Sequence, residues 1–138
     1  MNGDEEFRHW FDTTWLAGEL ALHDGDGSAR DETWSRTEPV TLFGAWKNAT
    51  NADEAFAVFG HLGGTFSDAV GEEIDLIAHG VSGDLAYTVH REITSTSVNG
   101  QPRDYVLRVT QVYRREDGEW KVVHRHGDEQ RTLVDGGP

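Results

Sequence analysis

The stretch that most restricts the fold of this 138-residue chain is Tyr105 to Asp128, YVLRVTQVYRREDGEWKVVHRHGD. Two runs rich in Val, Tyr and Trp alternate apolar with polar residues. Asp117-Gly118 stands between them and supplies the positive φ that a tight hairpin turn needs. Asn99-Gly100 is a second such turn, and Leu85 to Val98 before it reads as a long strand. Ile74 to Ala78 reads as another. The C-terminal half is therefore an antiparallel meander. Its last strand ends in His124, Arg125 and His126, with Asp128 close behind. A strand with only packing to do would go on adding apolar residues, so this one borders something polar.

The N-terminal half has a helical period. Phe7, Trp10, Phe11, Thr14, Ala17, Gly18 and Ala21 recur at steps of three and four, which predicts a helix over residues 4–23. Asp4, Glu5 and Glu6 fill its first turn, where the helix dipole favours anions. Ser28 with Asp31 is a capping-box pattern for a short second helix. Val40 to Phe43 reads as a short strand after Pro39. Thr50 with Asp53 opens a helix through Leu62 with Ala55, Phe56, Phe59 and Leu62 inward, ended by Gly63-Gly64. Helices first and strands last argue for an α+β domain, its helices packed on one face of a curved antiparallel sheet. One domain spans the chain, and residues from about 128 to 138 read as a loose tail.

Composition narrows the function. The hydrophobic share is 36% with 10% aromatics, enough for a folded core. There is no cysteine, which rules out disulfides and thiolate metal sites. The start, MNGDEEF, is no secretory signal, and no run approaches the ~20 apolar residues that cross a bilayer. A cytoplasmic protein is the expectation. Net charge is −13 and uneven: residues 1–75 hold 4 basic and 16 acidic residues, and 76–138 hold 8 and 9. Neither half offers the basic surface that nucleic acid or an anionic membrane requires. Near-neutrality of the strand-rich half predicts a homodimer through the outer sheet face.

The strands carry the candidate site. Leu85, Tyr87, Val89, Arg91 and Ile93 share one face, and Ala86, Thr88, His90 and Glu92 the other. In the next strand Tyr105, Leu107, Val109, Gln111 and Tyr113 share a face. Arg91 and Gln111 are polar insertions in mainly apolar faces, a pattern that fits a ligand pocket and equally fits sheet ends meeting solvent. Polarity alone puts Trp120, Val122 and His124 inward. His124 and His126, with Asp128 or His90 as a third ligand, could bind a divalent metal; hydrogen-bonded interface histidines give the same pattern. Glu38, held extended by Pro39, would be a general base if burial raised its pKa.

Three segments carry a family resemblance: Glu38-Pro39-Val40-Thr41-Leu42-Phe43-Gly44, Gly83-Asp84-Leu85-Ala86-Tyr87-Thr88-Val89, and Arg108-Val109-Thr110 through Glu116-Asp117-Gly118-Glu119-Trp120 to His126. They resemble the nuclear-transport-factor-2-like superfamily, in its SnoaL-like and ketosteroid-isomerase-like branch. The resemblance implies a cone: a curved antiparallel sheet wrapped around N-terminal helices, with an apolar pocket at one end. It puts Glu38 in the place of a catalytic base. It puts Gln111 where those isomerases hold a protonated aspartate; a glutamine is no acid, but its amide can donate to an oxyanion. The segment Trp120 to His126 is also similar to the association domain of calcium/calmodulin-dependent protein kinases. That likeness implies that pocket arginines hold small carboxylates, and its register turns Val123 and Arg125 inward and His124 and His126 outward. A β-bulge would reconcile this with the polarity reading.

These readings converge on a small-molecule-binding protein doing cofactor-free proton transfer of isomerase, cyclase or dehydratase type. Glu38 would move the proton, and Gln111, Tyr87 and Arg91 or Arg125 would stabilise negative charge. Tyr87 and Trp46 would supply apolar walls, and Trp34, His124 and His126 are further ligand-binding candidates. The ligand expected is a small organic molecule bearing a carboxylate or carbonyl. The alternatives are a non-catalytic binding or dimerising module and a metal-dependent activity through His124 and His126.

Overall fold

In the computed structural model, residues 2–130 are described. Helix α1 (Gly3–Trp10) runs through one wider π-helical turn (Phe11–Trp15) into α2 (Leu16–His23). A 3-10 turn (Ala29–Glu32), β1 (Thr41–Phe43), β2 (Asn48–Ala49) and α3 (Ala52–Thr65) follow. Four long strands complete the chain: β3 (Phe66–Ser82), β4 (Leu85–Val98), β5 (Gln101–Glu116) and β6 (Glu119–Glu129). The six strands form one curved, unclosed sheet in the order β2-β1-β6-β5-β4-β3, antiparallel except where β1 lies parallel to β6. The helices pack on its inner face. Asp128 and Glu129, expected in a tail, belong to β6; the rest of that segment, from 131, lies outside the described residues.

The turns form as their dipeptides require. Asn99 and Asp117 adopt φ of 51°, each followed by a glycine at 80°, the two positive values of a type I′ hairpin. The helix boundaries differ from expectation in instructive ways. Asn51 rather than Thr50 caps α3, its side chain accepting from the Glu54 N–H at 2.9 Å. Ser28 makes no capping bond but donates its hydroxyl to Asp26 at 2.7 Å. Helix α3 does not stop at Gly63. It continues to Thr65, and a Cβ on Gly63 would stand 2.2 Å from the Gly27 Cα, so this glycine is needed for close approach rather than for termination.

The buried helical stripe is Phe7, Phe11, Trp15, Glu19 and Leu22, with His23 beside it. Thr14 and Ala17, placed inward by the sequence, are exposed. The π-helical turn accounts for the change. A wider turn absorbs the drift of successive four-residue steps and keeps Phe11, Trp15 and Glu19 on one side. The apolar members interlock with the sheet. Phe7 meets Tyr113 and Trp120 edge-on at 4.9 and 5.3 Å, and Phe11 stacks on Trp15 at 4.5 Å. Removing any one of these buried rings should cost about 3–5 kcal/mol.

A bulge sets the phase of β6. Tyr113 pairs with Val122, but Val112 pairs with His124, so Val123 is an extra residue. Before it Trp120 and Val122 face inward; after it Arg125 and Gly127 do. The polarity reading holds for Trp120 and Val122 and the kinase-like register for Arg125; the bulge overturns the inward placement of His124, which faces outward with His126.

Candidate functional site

Beyond the aromatic core the inner face of the sheet becomes polar. From β4, Thr88, His90 and Glu92 point inward and are fully buried; from β5 come Gln111 and Tyr113; from β6 comes Arg125. The helical region adds Glu19, His23 and Arg30, all buried. A charge without a partner would be very costly here, so the groups pair.

Arg30 holds the Glu19 carboxylate two-pronged at 2.8 and 2.7 Å. Arg125 does the same to Glu92, with both bonds at 2.7 Å, and donates to Gln111 Oε1 at 2.9 Å. His90 Nε2 lies 2.9 Å from the same Glu92 carboxylate, and its Nδ1 lies 3.1 Å from Thr88 Oγ1. The Gln111 amide donates to the Tyr113 hydroxyl at 2.6 Å, which also meets Thr88 at 2.7 Å. Burial alone would raise the Glu92 pKa, but Arg125 and His90 hold it well below the usual carboxylate range.

A third carboxylate, Glu72 of β3, completes the group; the nearest oxygens of Glu19, Glu72 and Glu92 lie within 4.8 Å of one another. Three such carboxylates could share a cation. Here that role is filled by two guanidinium groups, each bound in the plane of one carboxylate. Glu72 faces His23 instead, with Nδ1 at 2.8 Å from its Oε2. The same Nδ1 lies 2.8 Å from the Glu19 backbone carbonyl. A single N–H cannot point at both, and its direction favours the carbonyl, so Glu72 meets the ring through charge. Burial disfavours the imidazolium, but Glu72 and then Glu19 more than offset it, and the His23 pKa is raised above the usual 6.5. Burial, then the charges of Glu92 and Glu19, raises Glu72 as well.

Three members of this polar group, His23, Arg30 and Arg125, border a cavity of about 40 Å³. Leu42, Val58, Leu62, Phe66, Leu107 and Trp46 give apolar walls, and His23, Arg30, Tyr105 and Arg125 give the polar side. Apolar walls with a few convergent polar groups are the pattern of a small-molecule site. The volume is small for a ligand. Trp46 also walls a neighbouring cavity of about 180 Å³ beside Phe66 and Arg103, so the two share this half-exposed ring as a wall. A larger groove of about 780 Å³ runs between α1 and the β5–β6 turn, lined by Glu6, Trp10, Glu32 and Lys121 among others. It is open and lacks the convergent buried groups, so the Trp46 cavity is the better candidate.

Of the residues expected in the site, the structure brings Trp46 and Arg125 to the cavity, with Gln111 one layer behind Arg125. The others lie elsewhere. Tyr87 and Arg91 occupy the outer face of β4: Tyr87 is 45% exposed, and Arg91 bonds Asp75 and Gln130. Trp34 is in the core against Phe59 at 4.8 Å. Glu38 is exposed rather than buried, and its oxygens accept from the N–H of Val40 at 3.0 Å and of Ala52 at 2.6 Å, the first residue of α3. His124 meets the Thr41 hydroxyl at 2.7 Å, and it and His126 flank the exposed Phe43 ring. Both lie on the outer face, away from His90 and from the cavity. Burial, then His126, lowers the His124 pKa.

Glu19, His23, Arg30, Glu72, Glu92 and Tyr105 escaped the sequence reading. A faint signal existed: Glu19 and His23 continue the four-residue steps of Phe7, Phe11 and Trp15. On the helix a charged residue at such a step reads as solvent-facing, because partners from four other elements are invisible in sequence.

A family model of the SnoaL-like domain matches residues 19–127, and the chain belongs to that family. No curated protein matches it. Among solved structures, a nuclear transport factor 2-like superfamily protein from Salmonella enterica serovar Typhimurium superposes with a TM-score of 0.75 at 17% identity, covering 97% of this chain and 95% of that one. A ketosteroid isomerase-like protein from Erwinia carotovora atroseptica gives 0.71 at 15% identity, covering 90% and 96%. An NTF2-like protein from Cytophaga hutchinsonii gives 0.71 at 14%, covering 94% and 100%. Identities this low speak for the fold, which hosts many activities. Among the described residues no helix is long and apolar enough to cross a membrane.

Proposed function

We propose that this chain binds a small organic molecule in the Trp46 cavity and moves a proton on it, in the manner of an isomerase, cyclase or dehydratase and with no cofactor. One observation carries the reading. His23 sits in the wall of the cavity, on the polar side that it shares with Arg30, Tyr105 and Arg125, with its pKa raised and the Glu72 carboxylate 2.8 Å from its Nδ1. A histidine in a cavity wall, its proton affinity set by a carboxylate behind it, is the kind of group that general acid–base catalysis uses. Arg30 and Arg125 supply fixed positive potential, and Gln111 orients Arg125. Glu38 lies outside the cavity with its carboxylate engaged at the α3 terminus, so the proton is assigned to His23, whose Nε2 reaches the ligand through the Tyr105 hydroxyl at 3.0 Å.

The test needs no known substrate. Small ketones incubated with the protein in D2O should take up deuterium beside the carbonyl faster than in buffer. The excess should vanish in His23→Gln and persist in Glu38→Gln. Exchange that survives His23→Gln, or no protein-dependent exchange with any compound, would remove the assignment.

The outer sheet face favours a second and compatible role as a dimerising module. Ile77, Leu85, Tyr87 and Ile93 are large apolar side chains exposed there, and exposed apolar side chains on one sheet face fit a self-complementary interface. Light scattering at micromolar concentration should give a dimer mass for the native chain and a monomer mass for Leu85→Asp. A monomeric native chain would end this reading.

A further inference from the structure

We infer that the cavity selects an uncharged hydrogen-bond acceptor, a carbonyl oxygen, over a carboxylate, and that His23 sets this choice by turning the Tyr105 hydroxyl into a donor toward the ligand. The inference rests on the small-molecule reading of the Trp46 cavity and adds the ligand's class.

One nitrogen of His23 carries a fixed proton. Nδ1 is 2.8 Å from the Glu19 carbonyl oxygen, an atom that can only accept, so Nδ1 keeps its proton in either charge state. The titrating nitrogen is therefore Nε2, which lies 3.0 Å from the Tyr105 hydroxyl. With His23 as the imidazolium, Nε2–H donates and the Tyr105 oxygen accepts. Tyr105 must then direct its own proton elsewhere. Among the described residues its hydroxyl has no second hydrogen-bond partner, and Tyr105 lines the cavity together with His23. The ligand side is where that proton can go. With His23 neutral, the bare Nε2 accepts a hydrogen bond from the Tyr105 hydroxyl, and the hydroxyl oxygen offers the cavity only an acceptor.

The charges around His23 say which state prevails and which ligand fits. Glu19 is on its own helix, Arg30 on the 3-10 turn, Glu72 on β3, Glu92 on β4, Tyr105 on β5 and Arg125 on β6. Three carboxylates face two guanidinium groups, and the imidazolium makes the group neutral. Each guanidinium already grips a carboxylate two-pronged. Both buried guanidinium groups are therefore already engaged, and an arriving carboxylate would find only the exposed Lys47 in the cavity wall to receive it, with the Glu19, Glu72 and Glu92 carboxylates behind the polar side. A carbonyl oxygen adds no charge and needs one donor, which Tyr105 provides. Arg125, expected from sequence to grip a ligand carboxylate, instead holds Glu92.

The experiment measures binding of ketones from acetone to cyclohexanone, each paired with its methylidene hydrocarbon and with a carboxylate of like size, followed by protein NMR across pH. The ketone should bind at least tenfold more tightly than either counterpart at pH 6, and that preference should fall as pH rises. Tyr105→Phe, which keeps the ring, should remove the preference over the hydrocarbon. His23→Gln should remove its pH dependence. In 15N spectra of the imidazole, His23 Nδ1 should stay protonated while Nε2 titrates above the usual histidine range. Ketone and hydrocarbon binding equally, or Nε2 bare at pH 6, overturns this inference and leaves the cavity reading standing. Tighter binding of the carboxylate also overturns it. If none of the three classes binds to the native chain or to Trp46→Ala, the cavity reading falls with it.

Discussion

Strand β4 presents Leu85, Tyr87, Val89, Arg91 and Ile93 to one side of the sheet and Ala86, Thr88, His90, Glu92 and Thr94 to the other. The more polar set is the buried one. Each face holds charged groups in contact, yet they stand in different physical regimes. Inside, Glu92 and Arg125 are fully removed from water and bonded at 2.7 Å twice over, with His90 and Gln111 completing the network. Outside, Arg91 meets Asp75 at 3.1 Å with both side chains about half exposed. The inner pair is held because breaking it strands a buried charge; the outer pair competes with water and salt.

The sharpest way to break this comparison is to remove the same residue type from each side. Arg125→Met should lower the free energy of unfolding in urea by about 3–5 kcal/mol, because Glu92 loses its two-pronged partner in a buried site. A loss under about 1 kcal/mol would mean that water reaches Glu92 and the inner network is not dry.

Acid and base limbs of stability sharpen it further. Glu92 has a depressed pKa, so its contribution is present above the usual 4.5 and is lost only as pH falls through the depressed value. His23 is raised: its contribution is complete below 6.5 and is lost as pH rises through its folded-state value. Glu72, raised by burial, has the same sign from 4.5 upward. The native chain should therefore lose stability from mildly acidic to mildly alkaline pH. Each unit of pKa difference corresponds to about 1.4 kcal/mol. His23→Gln should flatten the alkaline part of that slope and leave the acid limb of Glu92 in place. Urea titrations at intervals of pH check this, and a slope that is unchanged in His23→Gln would place the linkage elsewhere.

The smallest effect belongs to the outer face. Arg91→Met should change stability by no more than about 0.5 kcal/mol in the same assay. A loss comparable to that of Arg125→Met would show that the outer pair is covered in solution, and would point to the interface between copies.

Much of the fold was legible in the residues. The hairpin turns at Asn99-Gly100 and Asp117-Gly118, the limits of β4 and the order of helices before strands all follow from local backbone demands and period. Arg125 was legible as a cavity residue through the register of the Trp120 to His126 segment, and Trp46 as an aromatic wall just past a short strand. The inward side of β4 was not. Its apolar residues alternate correctly for a buried face, and hydrophobicity assigns them there. Nothing local says that Glu92 will meet Arg125, 33 positions away, or that His23 will meet Tyr105, 82 positions away.

Sequence by itself determined the antiparallel meander, the class of the domain and the absence of any thiol chemistry, since turn dihedrals, alternation and composition are properties of neighbouring residues. Only the tertiary structure decided which face of β4 is inside, where the Val123 bulge turns Arg125 inward, and that His23 and Tyr105 line a cavity with Glu19 and Glu72 against His23. The physical reason is that a charge is cheap to bury only beside its partner, and these partners come from elements that the chain brings together only when folded.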